Sequence, residues 1–313
     1  MRKIFLLFIL AIMAIPSAVG NVSFEIAYGI NSPALQQKIE RQASLLLNAI
    51  NNAAQSGRDI NFSGINISDN AAQALSMTWN QVHFHTEDNE YVEAGLSLRT
   101  KTGRLRGYQV RNIGVTLIPV TEELLPYERQ ELCIDFSPTG QIVDLNFTMD
   151  NTQYARLLAE GEKLNDIDQR MQILGWCEKF RQAYIDKNLP FMDAVFSEDA
   201  LIITGKVIAG REKTGIEVTA QGKAQYLAGL KRVFARSENI DVRFNDYKVQ
   251  RHPTKPDFYY VTLVQHWNTK QYSDEGIVVL VWDFTDEDYP KILVRTWQPI
   301  GTKPFNINDI PLY

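Results

Sequence analysis

Residues 179–200 read KFRQAYIDKNLPFMDAVFSEDA, and the succession of patterns in this stretch decides how the C-terminal half is built. Phe180 and Tyr184 stand one helical turn apart, and Ile173 and Cys177 extend the same apolar stripe upstream. Asn188 and Pro190 break it, since Pro suits the first turn of a new helix. That second helix carries Phe191, Val195 and Phe196, and Ser197-Glu198-Asp199-Ala200 then runs into a strand over 200–204. The stretch therefore predicts helix, short polar turn, helix, strand.

Downstream, Leu227, Leu230 and Phe234 lie at helical spacing, and four β-rich runs follow at 240–250, 258–267, 276–284 and 292–299. A tail over 301–313, with Pro304 and Pro311, reads as extended along the surface. Upstream, 151–163 is polar and charged without a breaker, and reads as a connecting helix or linker. Ser32-Pro33 opens an earlier helix as N-cap and first-turn Pro, with Leu35, Ile39, Leu46 and Ile50 on one stripe and Gly57 at its end. Ser68-Asp69 caps a shorter helix bearing Leu75 and Trp79. From 91 to 148 the period becomes that of strands, with a long one at 108–120. Runs at 131–136 and 142–147 flank Pro138-Thr139-Gly140 as a hairpin. The expected fold class is α+β in two domains. Residues 21–150 form helices leading an antiparallel sheet, 151–163 connect, and 164–300 form the second domain.

The chain has 313 residues, 45% hydrophobic and 22% charged, with a net charge of −5. That composition excludes disordered, collagenous and coiled-coil classes, and a mildly acidic chain is a poor match for nucleic acid. Met1-Arg2-Lys3, the apolar run 4–15 and the small residues Ser17, Ala18 and Gly20 read as a secretory signal peptide cleaved near Gly20. The apolar run is too short to span a bilayer comfortably. The expected location is periplasmic or extracellular, with no transmembrane segment in the mature chain. Removing the leader leaves 30 basic against 37 acidic residues, a charge of −7. Cys133 and Cys177 sit in apolar surroundings and read as buried thiols, although export leaves a disulfide open.

With these elements in place, the C-terminal half resembles the NTF2-like (cystatin-like) superfamily, which includes ketosteroid isomerases and SnoaL-like cyclases. The stretch 179–200 carries the resemblance, joined by Gly222-Lys223-Ala224-Gln225 entering the third helix and by Arg295-Thr296-Trp297. It implies a cone of three helices on a curved antiparallel sheet, with a small ligand at the open end. It also implies where isomerase chemistry would lie, and there stand Phe180, Thr204 and Leu280. None of these supplies the required phenol or carboxyl. The N-terminal half resembles no known family.

Strand parity proposes the inner face: Tyr259, Val261, Leu263, Gln265 and Trp267; Val278, Leu280 and Trp282; and Leu293, Arg295 and Trp297. Candidate ligand-binding residues are Arg295, Gln265, Trp267, Trp282, Trp297 and Tyr259, because a guanidinium among aromatics can clamp a carboxylate or phosphate. The leading expectation is an exported, non-catalytic protein binding a small ligand or peptide in the cone. One alternative is a hydrolase or lyase using Arg295 with Gln265 or Asp274. Another is a structural or assembly protein of the cell envelope, using the outer sheet face against a homodimer or envelope partner.

Other clusters are weaker. His83 and His85, with Glu87 and Glu90 near, offer too few metal ligands. Asp283, Asp286, Glu287 and Asp288 read as a solvated hairpin tip, and Arg99, Lys101, Arg104, Arg106 and Arg111 as a solvated basic loop. Asn21, Asn61, Asn66 and Asn146 each begin a glycosylation sequon. No Gly-rich phosphate loop or nucleophile elbow occurs, so neither cofactor nor metal is expected.

Overall fold

The computed structural model of the chain describes residues 21–86, 88–120, 129–161, 164–209 and 214–301. The stretch 1–20, where a leader is expected, together with Glu87 and 302–313, where the tail is expected, lies outside the described residues.

The N-terminal half opens on a strand, which corrects the expectation that helices come first. β1 (Ser23–Tyr28) pairs in parallel with β3 (Glu90–Ala94) and buries Phe24 and Ile26. Its other edge is completed by the helix that follows, α1 (Pro33–Ser56). Asn48, Ser44 and Glu40, one turn apart on α1, accept the backbone N–H groups of Val22, Phe24 and Ile26 at 2.8–3.0 Å. The helix starts and stops as its sequence predicts. Ser32 accepts from the Leu35 N–H, and Gly57 takes a left-handed φ of +62° that favours glycine. Ser68 likewise caps α2 (Asp69–Gln81) through the Ala71 N–H.

These helices cover an antiparallel sheet of β2 (Val82–His85), β4 (Leu96–Arg99), β5 (Leu105–Pro119), β6 (Arg129–Phe136) and β7 (Ile142–Phe147). Ile39, Leu46, Ile50, Leu75 and Trp79 pack with Val110, Ile134 and Phe136 in one core.

Residues 151–159 form α3 (Asn151–Ala159), capped by Asp150. Then come α4 (Leu164–Ile185), α5 (Leu189–Val195), β8 (Phe196–Ala209), β9 (Thr214–Gly222), α6 (Lys223–Arg236), β10 (Asp241–Arg251), β11 (Phe258–Thr269), β12 (Tyr272–Asp283) and β13 (Lys291–Pro299). The sheet order is β10-β11-β12-β13-β8-β9. Every neighbouring pair is antiparallel except β13 with β8, which is parallel. β8 is longer than the expected 200–204, and β9 falls where no strand is expected, because its Gly-rich, polar sequence resembles a loop. A core running from Met149 to Ile292 holds the three helices α4, α5 and α6 against this sheet, the NTF2-like arrangement that the resemblance implies.

α4 is buried on two sides. Ile173, Cys177, Phe180 and Tyr184 face the sheet. Glu178, Lys179 and Asp186 reach toward the N-terminal half. Arg111 of β5 donates to both Glu178 oxygens at 2.7 and 3.1 Å, and the Met149 N–H adds a third bond at 2.8 Å. The Lys179 ammonium stands 2.7 Å from Asp144 and 3.5 Å from Asp135. Thr78 of α2 donates to Asp186 at 2.9 Å.

The presumed loop and hairpin tip are partners of each other. Lys101 pairs with Asp257, its backbone N–H reaches Glu287, and Arg106 binds the Glu287 carbonyl and the Asp288 carboxylate at 2.9 Å. Lys101, Arg106, Glu287 and Asp288 thus belong to a junction between the two halves, whereas Arg104 and Asp286 stay exposed as expected.

On the outer face of the C-terminal sheet, Tyr260, Val279, Val281 and Val294 are 0–3% exposed. Leu201 and Leu293 pack against this cluster, and Val218 of β9 is 54% exposed. Cys133 and Cys177 are free and buried.

Candidate functional site

The inner face of the C-terminal sheet is set by cross-strand register. Trp267 lies opposite Asp274, Gln265 opposite Gly276, Val278 opposite Trp297, and Leu280 opposite Arg295. Alternation turns all of these toward the helices. A Cβ on Gly276 would overlap the Trp297 indole, so the ring lies directly on the β12 backbone. Only glycine permits that approach.

Four of the six residues expected from the sequence come together here. Arg295, 5% exposed, donates from Nη2 to Gln265 Oε1 at 3.1 Å. Its guanidinium sits 5.6 Å from the Tyr226 ring centre. The Tyr226 and Tyr184 hydroxyls are 2.6 Å apart, and the Tyr184 ring meets Trp267 edge-on at 5.5 Å. Tyr272 donates to Asp274 Oδ2 at 2.7 Å. Trp297 packs against the same core.

Three buried polar atoms in this group have no hydrogen-bond partner among the described residues: Arg295 Nε, Asp274 Oδ1 and Trp297 Nε1. Native interiors rarely leave such atoms unpaired. Burial opposes the charge on Arg295, but the Tyr184 and Tyr226 hydroxyls and Asp274 outweigh it and raise its pKa. Burial raises the pKa of Asp274, against the opposing pull of the Tyr272 hydrogen bond and Arg295.

The other two expected residues sit elsewhere. Trp282 is fully buried beside Trp176, Phe180 and Phe284, with ring centres 5.8–6.5 Å away. Tyr259 lies toward the opposite end of β11, where its hydroxyl donates to Gln169 and Arg251 stands 5.9 Å from its ring. Leu293 departs from the expected parity. A register shift between Val281 and Trp282 sends Ile292 inward and leaves Leu293 packing against the outer cluster. Sequence reading missed Tyr184 and Tyr226, which come from α4 and α6. Their stripes show core membership but not which strand residues they meet.

Phe180 and Leu280 are fully buried in the core, and Thr204 pairs with Trp297 in the β8–β13 ladder. None places a carboxyl in the cone. His83 stacks on Trp79 with ring centres 4.3 Å apart, and among the described residues no three metal-ligating side chains converge. No described helix is long and apolar enough to cross a membrane. Asn146 is buried, so its sequon is closed in the folded chain.

Neither a family model nor a curated protein matches the chain. Among solved structures it is similar to an NTF2-like protein from Cytophaga hutchinsonii, at 16% identity and a TM-score of 0.34, over 42% of this chain and 98% of that one. It is also similar to Bd1075 of Bdellovibrio bacteriovorus, at 16% identity and a TM-score of 0.34, over 60% of this chain and 70% of that one. A third is an LEH-like epoxide hydrolase from M. tuberculosis, at 12% identity and a TM-score of 0.27, over 41% and 77% of the two chains.

Proposed function

We propose that this is an exported binding protein whose C-terminal domain, 164–300, holds a small anionic molecule in the cone without transforming it. The observation that supports the reading is the buried Arg295, whose Nε has no hydrogen-bond partner among the described residues while its Nη2 is oriented by Gln265. Nε and Nη2 form one edge of the guanidinium, the geometry that grips a carboxylate or phosphate bidentately. Trp297 Nε1 supplies a further unspent donor, and Tyr226, Tyr184 and Trp267 supply apolar walls. Such a mixture of aromatics and a few convergent polar groups is the usual makeup of a small-molecule site. Export rests on the leader-like residues 1–20.

Native mass spectrometry of protein purified from its source tests the reading. A co-purifying small acid that is lost in Arg295→Gln is the expected result. Retention of the same molecule by a folded Arg295→Gln protein excludes the clamp. Asp274 favours a second reading as hydrolase or lyase, since burial equips it to hold a proton beside Arg295. Conversion of the bound molecule by wild type, abolished in Asp274→Asn, would establish that reading instead. N-terminal sequencing of the secreted protein checks the leader, with Asn21 expected as the first residue.

A further inference from the structure

A cleft of about 600 Å3 opens between the two halves, away from the cone residues, and a smaller cavity of about 50 Å3 adjoins it. Arg181 of α4 lines both. This arginine is 7% exposed, and its Nη2 donates to the Phe147 carbonyl at 2.7 Å. No carboxylate among the described residues stands within ion-pair distance of it, whereas the equally buried Arg111 has Glu178. Beyond the Phe147 carbonyl, Arg181 feels the longer-range attraction of Asp241 and Asp186, and a buried cation without a close counter-ion is an arrangement that an incoming anion relieves.

Charges of both signs line the cleft. The C-terminal half contributes Arg181, with Asn245 of β10 and with Arg243, which is paired with Asp241 at 3.1 Å. The N-terminal half contributes Arg129 and Glu131 of β6 and Asp88, and Asp150 stands at the start of α3. Glu131 is half-buried, and burial followed by the nearby Asp150 raises its pKa. An ammonium placed beside this pair would lower that repulsion. Gly114, on the same wall, has open space where a side chain would project.

We infer that this cleft is a second binding site, distinct from the cone, for a zwitterionic ligand of the amino-acid or short-peptide class. Its carboxylate sits at Arg181 and Arg243, and its ammonium at Glu131 and Asp150. A volume of this size matches pockets for small ligands. Guanidinium binds carboxylate through paired N–H bonds, and the separation of Arg181 from Glu131 and Asp150 fixes which way round the ligand lies.

Isothermal titration of the full chain with L-alanyl-L-alanine, its N-acetyl form and its C-terminal amide tests the inference. The free dipeptide is expected to bind, and each cap to weaken binding at least tenfold. Arg181→Gln is expected to lose at least tenfold for the free dipeptide, while Arg181→Lys keeps part of the affinity. Because Arg181 also supports the Phe147 carbonyl, a second variant guards against misfolding. Glu131→Gln is expected to bind the N-acetyl and free dipeptides equally well, with an unchanged melting profile. Arg295→Gln is expected to leave dipeptide binding intact, which separates this site from the cone. No heat from any of the three ligands overturns the inference, and so does equal binding of the free and N-acetyl forms by wild type.

Discussion

Asp186 shows how much one carboxyl can govern. It lies at the end of α4, accepts from Gln182 at 2.7 Å and from Thr78 at 2.9 Å, and has its pKa pushed up to about 7, chiefly by burial. The two hydrogen bonds and Arg181 oppose the shift, and Asp144 adds to it. In the unfolded chain this group ionises near pH 4. Between about pH 4 and 7 the native state therefore holds a proton that the unfolded state has lost, so stability falls as pH rises through that window. Asp186→Asn, which keeps the shape and stays neutral, should flatten the decline in melting temperature between pH 5 and 8. An unaltered slope in the variant would contradict this. Gly276 gives a second test. Gly276→Ala must displace the Trp297 indole, and should cost about 1–3 kcal/mol as an overpacking change, read by denaturant titration. At this scale the sequence was partly legible. Strand parity located Arg295, Gln265, Trp267 and Trp297, but failed at Leu293 because a bulge leaves no mark in the alternation.

Helices and strands were legible where a local signal marks them. Ser32, Gly57 and Ser68 define two helix boundaries through side-chain and backbone chemistry within a few residues. β1 was missed because its edge is completed by Glu40, Ser44 and Asn48 on α1, a polar row that reads as a solvated face. α4 deceives in the same way. Glu178 and Lys179 look like exposed helix positions, yet both are spent on the other half of the molecule. Removing one member of a buried ion pair leaves the other uncompensated. Glu178→Ala should therefore destabilise the protein by about 3–5 kcal/mol. The Arg111→Met/Glu178→Leu double variant should recover much of that loss. Chemical denaturation of the single and double variants decides the point, and equal losses in both would refute the assignment.

Across the whole molecule, two cores meet over a junction rich in charged and polar contacts. Lys101 and Glu287 are 186 residues apart in the chain, so neither run of like charge reveals its partner when read locally. The exposed pairs of this junction should contribute little, about 0–1 kcal/mol each, and lose strength in salt. The buried bonds of Glu178, Lys179 and Asp186 make the connection that salt cannot reach. Calorimetry should accordingly show one cooperative transition, with only a small fall in melting temperature at 0.5 M sodium chloride. Two resolved transitions would mean that the halves unfold independently.

The two cysteines acquire a use from their placement. Cys133 belongs to β6 in one half and Cys177 to α4 in the other, both wholly enclosed, with burial pushing each thiol pKa up. Neither thiolate is available to an oxidant or an alkylating reagent until its own half opens. The chain therefore carries a separate chemical clock in each half. Comparing how fast the two are labelled would report, without any engineered probe, whether the halves breathe in step or one ahead of the other.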